Sequence, residues 1–221
     1  MDRMGGAVMA EALGREVDET IETAQALRAV LGAPSERVQA KVIDRIDEGA
    51  ARYIAASPFA ALATRRADGG VDVTPRGDPP GFAKVLDSKT LALPERPGNR
   101  RADALLNLLE DPRLGLLFMI PGVTHTLRVS GEARLVRDAA LGEAMAVNGR
   151  APELIVLVRV ERVLSHCSKA FVRSGLWRPE SWAERPDVPS LAELMAAHTE
   201  MGLEVAFLDE VIERDARERL Y

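Results

Sequence analysis

Between positions 59 and 163 the chain repeats one pattern: short apolar or β-branched runs, separated by turn residues, with a single helical stretch among them. Residues 59–64 are such a run, Ala67-Asp68-Gly69-Gly70 is a turn, and 71–76 is the returning run, which together predict a hairpin. Residues 82–86 and 90–93 flank Asp87-Ser88 as a second hairpin, and 113–120 and 124–136 flank Pro121-Gly122 as a third. Residues 153–163 close the series, with IVLVRV at their centre. Strands joined by tight turns pair antiparallel, because parallel neighbours need a crossover of about a dozen residues or more. The pattern predicts a mainly β fold, an antiparallel barrel with helical additions.

The helical additions lie at both ends. Residues 13–56 carry two apolar stripes at helical spacing, Val17, Ile21, Ala24 and Leu31, then Val38, Val42, Ile46 and Tyr53. Gly32-Ala33-Pro34 separates them, Ser35 is placed to cap the second, and Pro58 stops continuation beyond Ser57. At the other end, SHCSKAFVRSGLW is irregular and basic, WRPESWAERPDVP is a proline-rich loop, and helices are expected over 190–200 and 203–220. Three parts follow: an N-terminal helical extension over 1–56, a barrel core over 57–165, and a C-terminal loop with helices over 166–221 that complete the same domain.

Composition removes several classes of function. A net charge of −5 argues against a general nucleic-acid binder. Cys167 is the only cysteine, which excludes an intrachain disulfide framework or a multi-cysteine metal site. The spacing of His125, His166 and His198 fits no histidine metal site. No apolar run reaches the ~18 residues of a membrane span, and the N-terminus turns acidic at once without a signal-peptide pattern, so a cytoplasmic setting with no membrane partner is expected.

One stretch runs against helix electrostatics. In LPERPGNRRADALLNLLED, Leu105, Leu108 and Leu109 mark a helix, with Asn99 as its expected N-cap. Arg100 and Arg101 then fall in the first turn, where the helix dipole favours acidic residues, and Arg96 stands just before it. The arrangement suits a phosphate, on which backbone N–H groups and guanidinium groups converge. The alternative is a solvated loop whose arginines pair with Glu95 or Asp103. A second stretch, VDVTPRGDPPGF, ends a strand that Pro75 confines to an edge or an exit, and Arg76 could meet the same anion as Arg100 and Arg101. The third, HCSKAFVRSGLW, sets Ser168, Lys169 and Arg173 beside Trp177, a combination suited to a planar anion or to a basic turn packed on the core. No paired acid and base stands out, and no GxSxG elbow occurs. An anion site without acid–base apparatus points to a bound cofactor that brings its own chemistry.

Three blocks, PFAALATRRADGGVDVTPRGD, TLALPERPGNRRADALLNLLEDPRLGLLFMIPG and THTLRVSGEARLV, occur in order. They resemble the pyridoxamine 5′-phosphate oxidase-like, FMN-binding split-barrel proteins over about 57–163, and HCSKAFVRSGLW is similar to the tail of one uncharacterised branch of that group. The resemblance implies an antiparallel split β-barrel that forms a homodimer, with FMN in the interface and a small-molecule substrate. It implies a phosphate clamp at Asn99, Arg100 and Arg101, and a flavin-lining strand carrying Thr74 and Arg76. It further implies a polar contact to the flavin ring from Thr126, and cofactor contacts from Ser168, Lys169 and Trp177. The vitamin B6 oxidases of the group share a C-terminal Arg-x-His pattern that grips the substrate, and this chain has none. The expectation is therefore an FMN-dependent oxidoreductase of unassigned substrate, with NAD(P)H one candidate donor. The alternatives are a B6-phosphate oxidase with a rebuilt substrate site and a non-enzymatic flavin, deazaflavin or haem binder.

Overall fold

The computed structural model describes residues 20–182, 188–199 and 202–221. The chain divides into two compact units, Met1–Lys41 and Val42–Tyr221. In the first, helix α1 (Ala24–Leu31) starts where the Thr23 hydroxyl accepts the Ala26 amide at 3.1 Å and stops at Gly32, whose φ of 74° an L side chain resists. Helix α2 (Glu36–Ala40) follows Ser35. Val17 of the expected first stripe lies outside the described residues.

The second unit is built on an antiparallel sheet of eight strands: β1 (Val42–Ile43), β2 (Phe59–Arg65), β3 (Val71–Gly77), β4 (Lys84–Asp87), β5 (Thr90–Pro94), β6 (Arg113–Met119), β7 (Thr126–Val136) and β8 (Ile155–His166). The order is β3-β2-β6-β7-β8-β5-β4, with β1 also on β8. The two end strands, β3 and β4, do not pair, so the barrel stays split. The β-branched run is its spine. Strand β8 pairs with β7 along its length, with β5 near its start and with β1 near its end, and it buries Ile155, Val156, Val158, Val160 and Val163. Opposite Ser130 and Gly131 it carries one extra residue, Glu161, a bulge that tightens the local bend. A Cβ at Gly131 would run into the Arg159 carbonyl oxygen, so only glycine fits there.

The three expected hairpins are present. At the first, the Asp68 carboxylate accepts the Gly70 amide at 2.8 Å and Gly69 takes a φ of 88°, which fixes the turn. Pro75 sits on β3, which pairs only with β2, so its missing N–H costs no ladder bond.

The helix expected from Ser35 through Tyr53 is broken. Val42 and Ile43 instead pair with Leu164 and Val163, and a new helix α3 (Glu48–Ala56) starts at Asp47, whose carboxylate accepts the Ala50 amide at 2.8 Å. Edge pairing with β8 overrides the local helical period. Ile54 and Ala50 are buried in the barrel core, so α3 and β1 belong to the barrel unit rather than to an extension ending at 56.

Helix α4 (Asp103–Glu110) packs on β2, β3 and β7 and buries Ala104, Asn107 and Leu108, while Leu109 of the expected stripe is exposed. Its buried Asn107 amide donates to Thr64 at 3.1 Å and to Asp72 at 2.8 Å, which ties the helix to the sheet. Short α5 (Ala139–Ala144) precedes β8, and α6 (Lys169–Ser174) follows it. Helices α7 (Leu191–His198) and α8 (Val205–Glu218) pack on each other, and a Ser190–Glu193 capping box opens α7. Among the described residues, no helix is long and apolar enough to cross a membrane.

Candidate functional site

Where β3 and β5 end and α4 begins, the chain encloses a cleft of about 560 Å³. Thr74, Arg76, Asn99, Arg100 and Arg101, expected from the sequence to meet one anion, all line it. The connection from β5 to α4 gives the cleft its shape. Pro97 and Gly98 keep it non-helical, and the Asn99 side-chain oxygen accepts the Arg101 amide at 3.0 Å. Asn99 therefore closes a turn before the helix and is not its N-cap. The cap is Ala102, in the left-handed region at φ 57°, and Arg100 is left-handed as well at φ 61°. The first helical residue is Asp103, so the first turn is acidic, as the dipole favours. The conflict read from sequence is resolved by moving the arginines out of the helix and into the cleft wall.

Most of the basic groups in the wall have acidic partners. Arg101 Nε donates to Asp103 at 2.8 Å, and that bond raises the guanidinium pKa. Arg96 Nε donates to Asp78 at 2.6 Å, and its Nη2 donates to the Met145 carbonyl at 2.7 Å. The Asp78 side chain is 1 % exposed, so this is a buried pair, and removing either member would strand the other charge. Tyr221 completes it. Its hydroxyl donates to the second Asp78 oxygen at 2.7 Å, and its ring lies 5.7 Å from the Arg96 guanidinium carbon. The hydrogen bond to Asp78, assisted by burial, raises the phenol pKa. Arg76 stands 3.2 Å from Glu95, at ion-pair distance. Among the described residues, Arg100 alone of the cleft arginines has no acidic partner.

Two buried oxygens in this wall have no hydrogen-bond partner among the described residues: Thr74 Oγ1 and Glu95 Oε2. The Arg76 nitrogen is near enough to Glu95 Oε2 for Coulomb attraction but out of line for a hydrogen bond. Burial pushes the Glu95 carboxyl above the ordinary range, and Arg76 offsets this only in part.

The other four expected residues lie elsewhere. Thr126 is buried at the start of β7, in register with His166 at the far end of β8, whereas Pro94 at the cleft pairs with Ile155 at the near end. Thr126 also shares its sheet face with Arg128 and Ser130, the face opposite to Thr74 and Arg76. Ser168 and Lys169 open α6, and the Ser168 hydroxyl caps nothing. Trp177 Nε1 donates to the Val123 carbonyl at 3.0 Å, and its ring stacks on Phe171, which covers one flat side. From the opposite side the Tyr53 hydroxyl holds the His125 carbonyl at 2.7 Å. Within one chain the nine candidates thus form two groups, one on the cleft and one at the other end of the spine.

Sequence reading did not mark Asp78 or Tyr221, which meets Asp78 from the adjoining pocket, and it offered Glu95 only as a partner of arginines in a solvated loop. The acid-rich setting of the arginines was visible for Glu95 and Asp103. Tyr221 meets Asp78 across 143 positions, and no local signal marks that contact.

A comparison with curated proteins finds no match. Among solved structures, HupZ of Group A Streptococcus is 19% identical over 54% of this chain and 93% of its own, with a TM-score of 0.44. An FMN-binding protein of Syntrophomonas wolfei is 11% identical over 52% of this chain and 82% of its own, with a TM-score of 0.41. An F420 reductase is 18% identical over 53% of this chain and 98% of its own, with a TM-score of 0.40. The pyridoxamine 5′-phosphate oxidase family matches residues 46–167, from just after β1 to just past the end of β8. That span is more than half of the sequence and holds the whole split barrel apart from β1; the chain belongs to the pyridoxamine 5′-phosphate oxidase family.

Proposed function

We propose that this protein binds FMN in the cleft between β3, β5 and α4 and acts as a flavin-dependent oxidoreductase, with a small-molecule substrate and a homodimer as the working unit. The single observation that carries the reading is the pairing, in one cleft, of Arg100 and Thr74 Oγ1, which among the described residues have no acidic partner and no hydrogen-bond partner respectively. A phosphate supplies what both lack: negative charge for the guanidinium and acceptor oxygens for the hydroxyl. Arg76 and the turn at Asn99 stand beside them, while Arg101 is held by Asp103.

The fit to FMN lies in this wall. Thr74, Arg76 and Arg100 would hold the phosphate, and the flavin ring would supply the two-electron chemistry when bound. The chain's own part is to bind, orient and shield, since among the described residues no acid–base pair faces the cleft free of other partners. Thr126, Ser168, Lys169 and Trp177 lie too far along β8 to share the cleft of their own chain. They would serve the cofactor only if a second copy brought them across an interface.

The test is a titration of the purified protein with FMN, followed by quenching of flavin fluorescence. A charge-assisted hydrogen bond contributes about 1.5–3 kcal/mol, so Arg100→Glu is expected to weaken FMN binding more than tenfold with the circular dichroism spectrum unchanged. Equal affinity in the two proteins would remove Arg100 from the clamp. A Soret band in the protein as purified would replace flavin with haem.

A further inference from the structure

Among the described residues, the cleft wall contains one carboxylate whose only cation is also a cation proposed to meet the incoming anion. Glu95 follows directly on β5, and its backbone N–H is held by the Leu154 carbonyl at 2.9 Å, so the residue cannot swing away with the loop. Its side chain is 22% exposed, and among the described residues Oε2 has no hydrogen-bond donor and Arg76 at 3.2 Å is its one ion-pair partner. Other charged groups line the cleft or the adjoining pocket around Glu95. On β3 and its exit these are Arg76 and Asp78. On the β5–α4 connection they are Arg96, Arg100 and Arg101, with Asp103 at the head of α4. Arg150, Glu153 and Tyr221 stand on the other side. Arg96 is taken by Asp78, Arg101 by Asp103, and Arg150 donates to the Tyr221 carbonyl. Among the described residues, Arg76 has no second carboxylate and Glu95 has no second guanidinium.

We infer that Glu95 couples occupation of the cleft by a phosphorylated ligand to the uptake of one proton. The inference rests on the anion-site reading given above. A phosphate that engages Arg76 removes the counter-ion of Glu95 and brings a second negative charge beside it. Two like charges in one partly buried site cannot both persist cheaply, so the carboxylate takes a proton from solvent and becomes neutral. The balance is one ligand anion and one proton bound per cleft, with no bond to carbon or phosphorus changed. The protonated carboxyl is then a hydrogen-bond donor that can face a phosphate oxygen. Burial already biases Glu95 toward its neutral form in the free protein.

The sign follows from the count of protons. A step that takes up a proton weakens as pH rises, by up to tenfold per pH unit, between the carboxyl's titration point in the free protein and its higher point in the complex. The phosphate's own second ionisation, near pH ~6, acts in the opposite sense, but it is common to wild type and variant and cancels in their comparison.

Calorimetric titration with FMN, and separately with inorganic phosphate, in two buffers of different ionisation heat counts the protons directly. With Glu95→Gln alongside, the expected result is net uptake by wild type that the variant lacks, and at least tenfold tighter binding by the variant at pH ~8. Difference infrared spectra supply a second readout on the wild type alone: a carboxylic acid C=O band that grows on ligand addition. Equal proton counts in the two proteins, or FMN binding with neither uptake nor band growth, overturn the coupling and leave the flavin reading intact. Glu95-dependent uptake with phosphate but no binding of FMN keeps the coupling and removes the flavin reading. Binding of neither ligand removes both.

Discussion

At the scale of single residues, the cleft loop concentrates backbone strain. Arg100 and Ala102 both lie in the left-handed region, at φ 61° and 57°, one residue apart. An L residue there costs roughly 1–2 kcal/mol, and such costs persist where the surroundings over-determine them, commonly at binding sites. Ala102 carries no side-chain function, so it separates strain from chemistry. Ala102→Gly relieves the strain but loosens the unfolded chain by about 0.4–1 kcal/mol. The net is a gain of up to about 1.5 kcal/mol, which is a rise of a few degrees in melting temperature. Ala102→Val is expected to lower it. A calorimetric scan of both variants checks the sign, and a lower melting temperature for the glycine variant would deny the left-handed cap. The same residues mark the limit of what the sequence revealed. RPGNRR announced a basic site because arginines ahead of a helix are electrostatically odd. That three of the neighbouring arginines answer to Glu95, Asp78 and Asp103 depends on the side-chain directions set by the Asn99 turn and by the two left-handed residues.

Among the elements, the hairpins were legible and the helix limits were not. Hairpins are written locally: Asp68-Gly69-Gly70 fixes one turn without help from the rest of the chain. Helix limits were decided by distant partners. Val42 and Ile43 leave the helical stripe because β8 offers them an edge, and Leu109 faces solvent because Asn107 is drawn inward by Thr64 and Asp72. The division of the candidate site into two groups was hidden for the same reason. Thr74 and Thr126 are both polar residues on strands, and only the register puts them on opposite faces. The β7–β8 pair is where one atom decides most. At Gly131 the bulge brings the Arg159 carbonyl into the space of a side chain. Gly131→Ala must push apart the longest pairing in the sheet, and overpacking of this kind costs typically about 1–3 kcal/mol. The variant is expected near the upper end of that range in a urea denaturation, with the midpoint reduced and the slope unchanged.

For the whole molecule, one face of the sheet presents exposed apolar side chains among the described residues. Two rows cross its outer side in register: Pro75, Ala61, Leu117, Arg128 and Leu164, and Val73, Ala63, Gly115, Ser130 and Arg162. Val71 and Val73 are 65% and 66% exposed, and the neighbouring side chains are small enough for another surface to approach closely. An apolar sheet face of this kind suits a second copy of the chain. Light scattering is expected to give twice 24.0 kDa, and Val73→Glu is expected to return one chain mass. A wild-type monomer at micromolar concentration would rule out a cofactor site shared between copies. The placement of the indoles has a practical consequence for all such measurements. The protein has only two tryptophans, Trp177 and Trp182, and both stand in the short stretch after α6. Their N–H groups are tied to the Val123 and Leu176 carbonyls, and no residue of α6 is buried. Intrinsic emission therefore watches this one strap and is nearly blind to the barrel. On heating, the red shift of tryptophan emission is expected at a lower temperature than the loss of far-ultraviolet β signal, because a segment with little buried surface lets go before the sheet. Coincident curves would mean that the strap and the barrel melt as one body, and that emission is a fair gauge of both.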